Sequence, residues 1–197
     1  MRRSNLIKVS GTLLVTVALM FACNENGGKQ EMSGEPSTTD KEAIERGAYL
    51  VKIGGCGDCH SSKTFGPNGM TETPEVLLAG YQPSDDFPIP SKEVISKGMV
   101  FNHQNTAFAG PWGISYAANL TSDATGIGNW TYEQFEMSMR RGKYKGMEEG
   151  GPLLPPMPWP NYTKMSDADI KAIYVYLKNT MPVKNIVPAP QSPEVFK

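Results

Sequence analysis

An all-α domain with a long loop-rich insertion is the fold the sequence predicts, and three observations predict it. Three segments join a helix-start signal to apolar residues at helical spacing, beginning at Thr39, Thr131 and Ser166. Residues 61–128 hold many Gly, Pro and Asn and no long periodic run, the pattern of loops with short extended segments. At 197 residues and 39% hydrophobic composition, the chain suffices for one compact unit plus a tail or linker.

The first helix is predicted from a Thr39–Glu42 capping box, with Ile44, Ala48 and Val51 on one face and an end near Gly54 and Gly55. Gly47 in its middle costs about 1 kcal/mol relative to Ala, which suits a place where another helix comes close. The second is capped by Thr131 with Gln134, stapled by Trp130 and Phe135, and ends at Arg140, Arg141 and Gly142. The third starts at Ser166, is stapled by Met165 and Ile170, repeats Ile170, Ile173, Tyr174 and Leu177, and stops before Pro182. Pro188, Pro190 and Pro193 then favour an extended C-terminal tail over 183–197.

Ahead of these helices, residues 1–22 read as an export signal: Arg2, Arg3 and Lys8 precede an apolar stretch from Leu13 to Phe21. That stretch is short for a retained spanning anchor. The run Met20, Phe21, Ala22, Cys23 resembles the lipobox of bacterial lipoproteins, with Met20 where leucine is usual, and implies lipidation of Cys23; the alternative is a conventional signal peptide cut nearby. Residues 23–38 then form the lipidated N-terminus and a flexible linker, polar and rich in Gly and Ser, with a typical reach on the order of 20 Å. The folded domain is expected over 39–182. Removing residues 1–22 takes away three basic side chains and no acidic one, so the formal charge goes from −1 to −4. A mildly acidic chain has no electrostatic footprint for nucleic acid, so small molecules and proteins are the expected partners.

Lipidation accounts for the odd thiol of the three, leaving Cys56 and Cys59 as a pair in the run CGDCH. Two thiols separated by two residues suit the two vinyl groups of one haem, with the imidazole of His60 held under the iron. A thioredoxin-like dithiol would instead open a helix after a strand. Structural zinc would need four ligands, and only His103 remains to join this set.

Three segments make the chain similar to a bacterial class I cytochrome c: RGAYLVKIGGCGDCH (46–60), GPWGISYAANLTSDATGIGNWTYEQF (110–135) and PPMPWPNYTKMSDADIKAIYVYLKN (155–179). The middle one resembles cytochrome subunits of exported dehydrogenase and oxidase chains. A single CxxCH departs from multi-haem members and implies one redox centre. The resemblance implies that 39–182 form a class I cytochrome c-like helical haem domain whose terminal helices cross beside the haem, and Gly47 against Tyr174 fits that crossing.

As sixth ligand the reading selects Met157, because Pro152, Pro155, Pro156, Pro158 and Pro160 forbid a helix and make a stiff strap, and the family's distal methionine lies in such a loop. The alternatives are packing of Met157 in a solvent loop, ligation by His103, Met147 or Met165, or an open position. Pro67 in FGPNG is a candidate to accept a hydrogen bond from His60 Nδ1 through its carbonyl, as the Gly-Pro of the family implies, or else simply forms a turn. Trp112, Trp130, Tyr116 and Trp159 are read as packing residues. Arg140, Arg141, Lys143 and Lys145 form a basic run that is either a partner-docking face or a solvated one.

Together these features point to an exported, membrane-anchored carrier on the periplasmic side that passes single electrons between redox proteins such as a dehydrogenase, oxidase or respiratory complex, and not to an enzyme. Met/His ligation would saturate the iron and leave no substrate position. The alternative is a haem enzyme or a gas or peroxide sensor with an open sixth position.

Overall fold

The computed structural model describes residues 40–67 and 69–197. The expected signal peptide, Cys23, the whole of the linker and Thr39 lie outside the described residues.

Helix α1 (Lys41–Ile53) is capped by Asp40, one residue later than Thr39. Asp40 Oδ1 accepts from Glu42 N at 3.0 Å and Ala43 N at 3.2 Å, and a carboxylate there also opposes the positive end of the helix. Gly54 closes α1, and Gly55, in the left-handed region at φ 66°, lets α2 (Cys56–His60) begin two residues later.

Residues 61–128 overturn the expectation of an all-α fold. They contain two small antiparallel sheets, so the domain is mixed α and β. Strands β1 (Lys63–Gly66) and β2 (Gly69–Glu72) form a hairpin with Phe65 opposite Met70. After α3 (Lys92–Lys97), strands β3 (Val100–Phe101), β4 (Ala107–Gly110) and β5 (Gly113–Tyr116) form a three-stranded sheet. The physical reason for the miss is length and burial. Among the described residues no strand exceeds four residues, and Ala107–Gly110 is buried throughout, so the polar-apolar alternation that marks a half-exposed strand never develops. Asn102 organises the turn before β4: its Oδ1 accepts from Thr106 N (2.8 Å) and Ala107 N (3.1 Å).

The remaining helices are α4 (Tyr132–Arg141), α5 (Trp159–Tyr162) and α6 (Asp167–Lys178). Thr131 and Gln134 form the expected reciprocal capping box, and Ser166 Oγ accepts from Asp169 N at 3.1 Å. Among the described residues no helix is long and apolar enough to cross a membrane.

Helices α1 and α6 cross, and Gly47 makes the crossing possible. A Cβ at that position would overlap the Ala172 carbonyl oxygen and stand 2.6 Å from Tyr176 Cβ. The aromatic residue facing Gly47 is therefore Tyr176, not Tyr174. Tyr174 turns the other way, packs on Tyr132 and Phe135, and donates to the Trp130 carbonyl at 2.9 Å.

The main core joins Leu50 and Val51 of α1, Leu78, Ile127, Phe135 and Met139 of α4, and Ile170, Ile173 and Leu177 of α6. A second cluster, Ile95, Ala109, Ile114 and Phe196, ties the C-terminal stretch to the three-stranded sheet. There Gln191 and Ile114 exchange two main-chain hydrogen bonds of 2.9 Å.

Candidate haem-binding site

On the short helix α2, Cys56 and Cys59 lie three residues apart and so share one face, with His60 completing the turn. The two thiols are not joined to each other, and Cys56 packs at the edge of the main core. Burial pushes the Cys56 thiol up to about 11 and raises Cys59 as well. A redox dithiol requires the opposite, a thiolate stabilised at the start of a helix, and α2 follows a helix and two glycines instead of a strand. Zinc fares no better, because no group of three or more His, Cys, Asp or Glu side chains among the described residues is placed to hold a metal ion.

His60 is oriented by the main chain. Its Nδ1 lies 2.8 Å from the carbonyl oxygen of Ala118, which can only accept, so in the neutral ring Nδ1 carries the proton and Nε2 keeps its lone pair. Burial lowers the His60 pKa, opposed by the Ala118 carbonyl, and thus favours the neutral imidazole that ligates a metal. The His60 carbonyl in turn accepts from Gly80 N at 2.8 Å. Gly80 sits at φ 75°, and a Cβ there would come 2.6 Å from Ala118 carbon and oxygen, so only glycine lets this loop lie against the acceptor of His60.

The insertion folds back on α2. The Glu72 carboxylate covers Gly57, where a Cβ would overlap it, and is paired with Lys52 at 3.2 Å. Ser61 Oγ accepts from Leu78 N at 2.9 Å. Lys63, 7% exposed, reaches under the helix, where its Nζ donates to the carbonyls of Asp58 (2.7 Å), Gln104 (3.1 Å) and Ser61. Asn105 Nδ2 donates to the Asp58 carbonyl at 2.7 Å and lies 3.7 Å from Cys59 Sγ.

Met157 stands on the proline strap between α4 and α5, half-buried against the same core cluster that Cys56 borders. The strap is tied at several points. Leu153 N donates to the Gly142 carbonyl at 2.6 Å, and Ser115 Oγ donates to the Pro155 carbonyl at 2.6 Å. The Trp159 ring lies on Gly142, where a Cβ would stand 2.5 Å from Trp159 Cδ2. Arg140 binds Glu136 (3.1 Å), the carbonyls of Thr163 (3.2 Å) and Met165 (3.0 Å), and Asp167 (2.5 Å).

The chain is 30% identical to the fructose dehydrogenase cytochrome subunit of Gluconobacter japonicus over 190 residues, 95% of this chain and 31% of that protein. It is 33% identical to the gluconate 2-dehydrogenase cytochrome c subunit of Pantoea cypripedii over 134 residues, 68% of this chain and 22% of that protein. Against the cytochrome c subunit of the quinone alcohol dehydrogenase of Gluconacetobacter polyoxogenes it is 26% identical over 157 residues, 79% of this chain and 25% of that protein. The chain belongs to the bacterial cytochrome c family. It spans about a third or less of the length of these relatives. No protein-family model matches it.

A cytochrome c implies haem c, and the residues present fit that group: two thiols on one helical turn, an imidazole fixed through Nδ1 with Nε2 unengaged, and a thioether on a braced strap beside the same core. Other sequence-selected residues of the cytochrome lie elsewhere. Pro67 is in the β1–β2 turn, and the acceptor for His60 Nδ1 is Ala118, 58 residues away in sequence. His103 is exposed, its ring 6.3 Å from that of Phe65, and Met147 is 47% exposed. Met165 packs at the core edge. The basic run is engaged within the molecule: Arg140 with Glu136 and Asp167, Arg141 with Glu148 at 3.3 Å, Lys143 on the Glu148 carbonyl at 2.6 Å, and Lys145 over the Tyr144 ring.

Ala118, Gly80, Lys63 and Asn105 escaped the sequence reading. A main-chain acceptor leaves no side-chain signature, and a lysine gives no sign in sequence that it is buried. The signal for Gly80 and Ala118 was present only as an unassigned glycine and a segment shared with related cytochromes.

Proposed function

We propose that this cytochrome is an exported single-electron carrier, not an enzyme, holding one haem c through Cys56 and Cys59 with His60 and Met157 as the axial ligands. When bound, that haem supplies a one-electron iron couple. The chain's own residues fix its surroundings: Ala118 sets the tautomer and direction of His60, the proline strap presents Met157, and the shared apolar core excludes water from the side that Cys56 borders. The observation that carries the reading is the His60–Ala118 hydrogen bond, which leaves Nε2 of a neutral imidazole as the ligating atom directly after the paired thiols.

The relatives from Gluconobacter, Pantoea and Gluconacetobacter are cytochrome subunits of dehydrogenases, which supports a dehydrogenase as electron donor and a second redox protein as acceptor. The signal-like N-terminus and Cys23 support attachment to a membrane on the periplasmic side through a lipid, with no nucleic-acid partner.

The test is a pair of absorption spectra of the purified holoprotein, oxidised and reduced, with haem counted per chain after denaturation. One covalently retained haem per chain with a low-spin spectrum and a weak long-wavelength sulfur–iron band in the ferric state is the expected result. A high-spin spectrum that shifts on adding cyanide or carbon monoxide would replace the carrier reading with an open-site one.

A further inference from the structure

Ordinary packing does not explain Lys63, a buried lysine at the site. A buried ammonium is costly unless a carboxylate meets it or strong acceptors surround it. Among the described residues Lys63 takes part in no ion pair within 4.0 Å, and three main-chain carbonyls of α2, of the residue after it and of the β3–β4 loop receive its Nζ instead. The buried acid Asp85 is engaged by Ser62 Oγ (2.8 Å), Gln82 N (3.0 Å) and Thr106 Oγ1 (3.1 Å). Asp58 and Glu72 also face the region, the first exposed and the second paired with Lys52. The main chain around the ammonium is built to receive it. Gln104 accepts from Lys63 N through its side chain and from Nζ through its carbonyl, while Asn105, at φ 59°, caps Asp58 and touches Cys59 Sγ.

We propose that Lys63 is a positioning residue whose ammonium locks the C-terminal carbonyls of α2 and, as a buried positive charge beside Cys59, favours the reduced state of the haem attached there. This role rests on the assignment of haem to Cys56, Cys59 and His60. Reduction of ferric to ferrous haem takes up one electron from a one-electron donor and lowers the net charge of the group by one, so a nearby fixed positive charge stabilises the product relative to the reactant. In a partly buried site that charge is screened far less than in water.

The experiment is a potentiometric titration of the full-length holoprotein with soluble one-electron mediators, comparing wild type, Lys63→Met and Lys63→Arg. Lys63→Met removes the charge while keeping an unbranched chain of similar length. At fixed ambient potential its ferrous-to-ferric ratio is expected to fall about tenfold, equivalent to a midpoint shift of ~59 mV for one electron. Lys63→Arg is expected to restore the wild-type midpoint, and the ferric spectrum is expected to keep its axial ligation in both variants. A Met variant with haem attached and an unchanged midpoint would overturn the proposal, as would equal shifts in the Met and Arg variants. If Lys63→Met yields no holoprotein, Lys63→Gln decides: it removes the charge while keeping a polar N–H donor for the same main-chain carbonyls. A lowered midpoint supports the proposal and an unchanged one refutes it. Absence of covalent haem from wild type would mark failure of the haem assignment itself, a separate result.

Discussion

Ser115 on β5 donates its hydroxyl proton to the Pro155 carbonyl at 2.6 Å, and three residues further along the same segment the Ala118 carbonyl receives Nδ1 of His60. One stretch of chain, β5 and the two residues after it, therefore braces both the imidazole and the strap that carries Met157. The insertion that overturned the all-α expectation is thus the part of the fold that supports the two proposed axial residues.

Ser115→Ala removes the brace on the strap without touching the core. Its expected cost is about 1 kcal/mol of stability, with a weakened sulfur–iron band, because the partner carbonyl remains partly open to water. Chemical denaturation of the holoprotein, followed by the ferric spectrum, measures both.

Met157→Ala is expected to abolish the low-spin Met/His spectrum while haem stays attached through Cys56 and Cys59. Met147→Ala, at an exposed position, is expected to leave it unchanged. An unaltered spectrum in the Met157 variant would remove that residue from the ligand set.

Gly47→Val forces a side chain into the Ala172 carbonyl and Tyr176 where α1 and α6 cross. Because the obstacle is largely backbone, the helices must separate, and the expected loss is about 3 kcal/mol. Thermal denaturation against wild type reads it directly.

Tyr132 supplies a pH dependence. Burial, followed by the charge of Glu136, pushes its phenol up to about 12. An acid whose folded pKa is raised contributes stability that is complete below the unfolded value near 10 and is lost as pH rises through the folded value. Between about pH 10 and 12 wild type is therefore expected to lose stability more steeply than Tyr132→Phe. Urea midpoints at pH 9 and 11.5 check the difference.

The sequence by itself determined the caps at Thr131 and Ser166, the end of α4 at Gly142, the need for close approach at Gly47, and the placing of two thiols and an imidazole in one short run. Each of these is encoded within a few residues, because a cap, a helical face or the adjacency of side chains is set by local spacing. Only the tertiary structure decided that Ala118 orients His60, that Tyr176 and not Tyr174 faces Gly47, that residues 61–128 make five short strands, and that Lys63 is buried under α2. These depend on main-chain acceptors and on contacts between segments far apart in the chain. A carbonyl is the same on every residue, and a four-residue strand buried on both faces has no periodicity to read, so folding alone specifies which of them meet.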